Sequence, residues 1–154
     1  MSNEASPTLK IQLLREGQSV MPSYGSAGAA GLDLHAALEA PRTLRPGERA
    51  AVPTGLAIAL PAGYEGQVRA RSGLASKFGI ALVNAPGTVD EDYRGEVHVL
   101  LVNLGQEPYT IQPKDRIAQL VVAPVTRVSL QRVEHVAELG ETARGSGGFG
   151  STGR

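Results

Sequence analysis

Apolar positions along the chain fall in short runs that alternate with polar ones, and glycine or proline interrupts them every few residues. "LKIQLL" at Leu9 to Leu14 and "LDLHA" at Leu32 to Ala36 alternate with period two, as half-buried strands do. Further strands are expected at "AAVPTGLAIAL", "EGQVRA", "GIALVN", "GEVHVLLVN", "YTIQ", "RIAQLVVAPV" and "VSLQRV", all short and rich in Val, Ile and Leu. Pro46-Gly47, Pro61-Ala62-Gly63 and Pro86-Gly87 supply turns between them. "SGLASKF", after Arg71, is the one stretch inside the β region that reads as a short helix, with Ser72 in the N-cap place; a helical turn also fits "VEHVAEL". The pattern predicts an all-β domain, a sandwich or jelly roll.

Length supports one core, because 154 residues bury about 70% of the unfolded surface without staples. No internal repeat or interdomain linker is visible, and the segments before Leu9 and after Leu139 read as mobile ends. The chain contains no cysteine, which excludes a disulfide framework, a thiolate metal site and a cysteine nucleophile. Fifteen basic and fifteen acidic side chains balance, so no polyanion-coating role is expected; an anionic ligand should be small, and nucleic acid is not an expected partner. The start "MSNEASPTLK" is polar and no apolar run approaches membrane-spanning length, so a cytoplasmic protein with no membrane partner is expected.

Three loops are more polar than sandwich corners require. In "RARSGLA", Arg71, Ser72 and Gly73 open the expected helix, where a guanidinium, a hydroxyl and backbone N–H groups can converge on an anion; a capped helix beside a solvated arginine is the alternative. "VNAPGTVDEDYRGE", Val83 to Glu96, sets Asp90, Glu91 and Asp92 beside Tyr93 and Arg94, and like charges this close must diverge or meet a cation. A carboxylate there can act as a general base on water, and Asn84 offers a donor and an acceptor to a base edge. For that loop alone an acidic, solvated hairpin tip is the plainer reading. In "PKDRIAQL", Ile117 and Gln119 share a strand face, so a buried Gln119 amide needs a partner, and Asp115 with Arg116 reads as a structural ion pair.

The tail "RGSGGFGSTGR", Arg144 to Arg154, matches G-x-G-x-x-G from Gly145 to Gly150. That fingerprint works between a strand and a helix N-terminus, and only four residues follow Gly150. The tail is therefore either a disordered end or a flexible flap that folds over something.

Taken together, these stretches resemble the trimeric dUTP diphosphatase (dUTPase) family. Five motifs stand in family order: "AGLDL" at Ala30 to Leu34, "RSGLA" at Arg71 to Ala75, "GTVDEDYRGE" at Gly87 to Glu96, "DRIAQL" at Asp115 to Leu120 and "RGSGGFGSTG" at Arg144 to Gly153. Departures are small: Ala70 stands where many members have proline, Glu91 where serine is common, and His98 at a variable position. The resemblance implies a β-clip fold, a jelly-roll-like sandwich, with a β domain at 1–139 and a mobile flap at 140–154. It implies hydrolysis of dUTP to dUMP and pyrophosphate by water attack on the α-phosphorus. Asp90 would be the base, with Mg2+ carried by the phosphates and Asp33 near the metal's water shell. Asn84, Thr88 and Val89 would read uracil, Tyr93 would exclude a 2′-hydroxyl, and Arg71, Ser72, Gly73 and Gln119 would meet phosphates. His98 would contribute through its main chain. Arg144 and Phe149 would arrive from a neighbouring subunit of a homotrimer, Phe149 stacking on uracil, over a tail that is disordered without nucleotide. The unclustered His35, His98 and His135 read as structural rather than metal-binding.

Two other readings compete. A dCTP deaminase shares the β architecture, but "DEDYRGE" and the Phe149 tail argue against it. A non-catalytic dUTP-binding module is opposed by the intact Asp90.

Overall fold

In the computed structural model of the chain, which describes residues 6–148, the period-two patterns become strands with one face turned inward. In chain order they are β1 (Lys10–Leu13), β2 (Leu32–His35), β3 (Arg42–Leu44), β4 (Arg49–Ala59), β5 (Tyr64–Arg69), β6 (Ile80–Leu82), β7 (Gly87–Val89), β8 (Glu96–Asn103), β9 (Tyr109–Ile111) and β10 (Arg116–Pro124). A short helix, α1 (Ser72–Phe78), joins β5 to β6, and a single 3-10 turn covers Val136–Leu139. No helix among the described residues is long and apolar enough to cross a membrane.

One sheet has the order β1-β4-β8-β6 and a second the order β2-β10-β5-β7, all pairs antiparallel; β3 and β9 form a separate ribbon. Neighbouring strands are mostly far apart in sequence, which makes this a jelly-roll-like sandwich rather than a meander. Val52, Ile58, Val99 and Leu101 of the first sheet join Leu34, Val68, Ala118 and Leu120 of the second in one buried cluster. Burying each such side chain stabilises by about 1.5–3 kcal/mol relative to exposure.

Two buried polar residues pin the first sheet. Thr54 Oγ1 donates to the Val97 carbonyl at 2.7 Å. Asn103, fully buried, donates through Nδ2 to the carbonyls of Leu44 (2.9 Å) and Glu107 (2.8 Å), and its Oδ1 accepts from the Gly105 N–H at 2.8 Å. Every polar atom of that amide has a partner, which is what permits its burial.

Four sequence expectations are corrected. "VSLQRV" is not a strand: Val128 is 73% and Leu130 93% exposed, with no apolar surface of this chain against them. The N-cap of α1 is Arg71, in extended conformation, and Ser72 is the first helical residue. Asp115 and Arg116 do not pair; Asp115 Oδ2 instead accepts from the Gln112 N–H at 2.8 Å and closes the turn into β10. A bulge between Arg116 and Ala118 breaks the alternation there, so Ile117 and Ala118 are both buried and Gln119 lies opposite the core face of Ala118 and Leu120.

Candidate active site

Pairing of β7 with the edge of β5, Val68 opposite Gly87 and Gly66 opposite Val89, turns Gly87 and Val89 inward and leaves Thr88 and Asp90 exposed. The chain then bends, the Tyr93 N–H bonding the Asp90 carbonyl at 3.1 Å, and re-enters the first sheet as β8. Between the sheets' edges this leaves a cleft of about 220 Å³ lined by Asn84, Thr88, Val89, Asp90, Tyr93 and His98 over the apolar Val68, Val97 and Leu100. Sites for whole ligands run to roughly 300–1,000 Å³, so this cleft is small beside a complete ligand site. A Cβ on Gly87 would stand 3.0 Å from Asn84 Nδ2, so the Asn84 amide would have to shift slightly.

The three adjacent acids together border a hollow with Tyr64, Glu65 and Arg127, and Asp90 also lines the cleft. Glu91 accepts from the Gly63 N–H at 2.8 Å and faces Arg127 at 3.6 Å, whereas Asp90 turns to the cleft. Arg94 Nη1 donates to the carbonyls of Glu91 (2.7 Å) and Tyr93 (2.8 Å), holding the bend. Tyr93 lies across Gly95, whose missing side chain makes room for the phenol, and its Oη donates to the Glu96 carbonyl at 2.9 Å.

Glu96 is held from the other side. Its carboxylate accepts Arg15 Nε and Nη2, each at 2.8 Å, and the Gly55 N–H at 2.8 Å. The hydrogen bonds from Arg15 hold the Glu96 carboxyl below the usual carboxylate range, and the same contact raises Arg15.

A second cluster gathers where β2 meets β10. Asp33 lies between Arg71 Nε (3.4 Å) and Arg116 Nη1 (3.3 Å), and Arg71 Nη1 donates to the Arg116 carbonyl at 3.2 Å. Two guanidiniums around one carboxylate leave a net positive charge, the setting that phosphate oxygens favour. Gln119, paired in register with Asp33 and Arg69, donates Nε2 to the Ala70 carbonyl at 3.0 Å, the partner its half-burial demands. A Cβ on Gly31 would stand 2.5 Å from Gln119 Oε1, so glycine there makes room for the amide. His35, opposite Arg116, is pushed below its ordinary pKa by burial, with Asp33 opposing and the two arginines reinforcing; its Nδ1 has no hydrogen-bond partner.

Six expected residues thus share the cleft: Asn84, Thr88, Val89, Asp90, Tyr93 and His98. Asp33, Arg71 and Gln119 form the cationic cluster, with Ser72 and Gly73 exposed at the start of α1, and none of these five lines the cleft. Arg144 sits in an exposed turn, donating Nε to the Gly147 carbonyl at 2.8 Å. Phe149 lies outside the described residues. Sequence reasoning missed Arg116 as the second cation on Asp33, and gave Arg15 and Glu96 no role. Contacts spanning 83 and 81 residues leave no local signal.

The family model for dUTPase matches residues 18–153. A Rhizobium etli protein named deoxyuridine 5'-triphosphate nucleotidohydrolase is 56% identical over 154 residues, covering 98% of this chain and 97% of that protein. Its namesake from Rhizobium meliloti is 57% identical over 150 residues, covering 96% and 92%. Among solved structures, the Staphylococcus bacteriophage 80alpha dUTPase with dUPNHPP superposes with a TM-score of 0.82 at 29% identity, over 96% of this chain and 99% of that one. A mutant dUTPase from phage phi11 of S. aureus, described for its coordination of a structural Mg(II) ion, gives 0.76 at 27% identity, over 84% and 99%. The chain belongs to the dUTPase family, and it is an enzyme that hydrolyses dUTP.

Proposed function

We propose that the chain hydrolyses dUTP in one step to dUMP and pyrophosphate, with uracil and deoxyribose in the cleft of Asn84, Asp90 and Tyr93 and the phosphates toward Arg71, Ser72, Gly73 and Gln119. The observation that carries this reading is that Asp90 alone of the three adjacent acids lines the cleft, while Glu91 is engaged by Gly63 and Arg127. Asp90 takes the proton of a water whose oxygen bonds to the α-phosphorus. The bond from the α-phosphorus to its bridging oxygen breaks, and the electron pair leaves with pyrophosphate. Asn84 and the β7 backbone at Thr88 and Val89 read the uracil edge. Cytosine presents a donor where an acceptor is wanted and leaves buried groups unpaired, and the thymine methyl clashes. Tyr93, backed by Gly95, packs against the deoxyribose and excludes a 2′-hydroxyl.

Among the described residues no group of three or more His, Cys, Asp or Glu could hold a metal, and Asp33 stands between two guanidiniums. That donor set fits an ion that arrives on the triphosphate and keeps most of its waters. Magnesium, when bound, supplies charge neutralisation on the phosphate oxygens, and Asp33 would hold its water shell.

In this reading a second copy brings its Arg71, Ser72 and Gln119 to this copy's cleft, which none of the three lines. A homotrimer with shared sites does this, and residues 140–154 close over it as a flap that brings Arg144 to the phosphates and Phe149 to uracil. The product dUMP serves thymidylate synthesis, and removal of dUTP keeps uracil out of DNA. The test is Asp90→Asn: binding of a non-hydrolysable dUTP analogue should persist while turnover falls by about 10²–10⁴-fold. Unchanged turnover would remove Asp90 as the base.

A further inference from the structure

We infer that Arg15, which lies in none of the five motifs, is a positioning residue for sugar recognition, acting through Glu96 on Tyr93. Glu96 is bound at both ends. Its carboxylate is gripped by two N–H groups of Arg15 and by the Gly55 N–H, all at 2.8 Å, while its carbonyl accepts the Tyr93 hydroxyl at 2.9 Å and meets His98 Nδ1 at 3.1 Å. The residue whose main-chain carbonyl receives the Tyr93 phenol therefore has its side chain held from the N-terminal segment. Charge-assisted, two-point contacts of this kind set direction as well as distance.

The surrounding backbone is built to present that grip. A bulge in β4 between Pro53 and Ala57 lies where the strand pairs with Glu96, and within it Gly55 has φ +68°. This conformation aims the Gly55 N–H at Glu96 and its carbonyl at the Leu14 N–H (2.7 Å) and Ser19 Oγ (2.8 Å). Ser19 Oγ also accepts the Arg15 N–H at 3.0 Å, closing the loop that carries Arg15. Bulges beside functional sites commonly re-aim a side chain. Here the aimed group is a main-chain N–H, and the beneficiary is the wall of the nucleoside cleft.

The inference rests on the reading of Tyr93 as the residue that excludes a 2′-hydroxyl. The experiment compares kcat/KM for dUTP and UTP, together with the unfolding temperature, in Arg15→Met, Arg15→Lys, Ser19→Ala, Tyr93→Phe, Tyr93→Ala and the Arg15→Met/Tyr93→Phe pair. Arg15→Met, which keeps the aliphatic stem, should lower the preference for dUTP by about tenfold or more, chiefly through KM, the scale on which a displaced positioning contact reads out. Arg15→Lys keeps the charge without the two-point grip and should fall between; it carries the test if Arg15→Met does not fold. Ser19→Ala loosens the loop that carries Arg15 but leaves both Arg15–Glu96 hydrogen bonds, and should lower the preference less than Arg15→Met does. Tyr93→Phe should lower the preference alone, and adding it to Arg15→Met should add little, because both remove one linkage. Unchanged preference in both Arg15 variants would overturn the inference, as would an equal loss in Ser19→Ala. Unchanged preference in Tyr93→Phe, which keeps the ring, would likewise overturn the linkage through the hydroxyl, whereas unchanged preference in Tyr93→Ala would remove Tyr93 as the sugar reader, a result distinguishable from failure of the Arg15 linkage.

Discussion

At Gly55 the backbone takes a left-handed turn that only glycine adopts without strain, and a Cβ there would also run into Ser19 Oγ. Gly55→Ala should therefore destabilise the protein by about 1–3 kcal/mol, read in the denaturant midpoint, a cost typical of a side chain forced into that region. A loss below a few tenths of a kcal/mol would mean that the bulge relaxes freely. Asp33 makes a different point at this scale. The motif around it was readable in sequence, but its two partners were not: Arg71 and Arg116 come from other strand ends, and the sequence neighbour Asp115 turned out to close a turn. Sequence spacing shows which groups are near along the chain; folding decides which of them meet.

The elements were most legible where the pattern was long. β4 and β8 were legible as runs rich in Val, Ile and Leu, and α1 has the bounds expected of "SGLASKF" because Arg71 precedes it in extended form and Gly79 ends it in the left-handed region. β3 and β7 span three residues each, too few for a period to register, and both exist because a neighbour strand supplies their hydrogen bonds. "VSLQRV" failed for the opposite reason: it alternates like a strand, but no strand of its own chain lies beside it. Asn103 ties β8 to the β3 end and to the turn before β9 with three buried hydrogen bonds. Asn103→Leu would leave the Leu44 and Glu107 carbonyls and the Gly105 N–H unpaired, and we expect a loss of about 2–4 kcal/mol in chemical denaturation. Deleting residues 140–154 should do the reverse. Those described, to 148, are exposed apart from a half-buried Gly147, so the unfolding temperature should hold while turnover of dUTP drops. A matching loss of stability would make the segment structural.

For the whole molecule, acid should act in two stages. Burial lowers the His35 pKa from its ordinary 6.5, so the unfolded chain binds the proton more readily and stability declines as pH falls below that value. The Glu96 carboxyl is held low by Arg15, so its contribution is complete above the ordinary carboxylate value of 4.5 and is lost as pH falls below that toward its folded pKa. In a pH series of unfolding temperatures His35→Gln should remove the first stage and leave the second; an unaltered first stage would clear His35. Assembly can be tested by mixing. If one copy's cleft works with another's cationic cluster, inactive Asp90→Asn and Arg71→Ala proteins refolded together should recover activity, and a mixture that stays inactive would argue for sites complete within one chain. The account's central claim is that a cleft built by Asn84, β7 and Tyr93 selects uracil and deoxyribose for hydrolysis at the α-phosphorus. The most direct measurement is pyrophosphate release with Mg2+ from dUTP, dCTP, dTTP and UTP at equal concentrations. Release from dUTP with little from the other three is the result expected, whereas comparable release from dCTP or UTP, or phosphate in place of pyrophosphate, would contradict it.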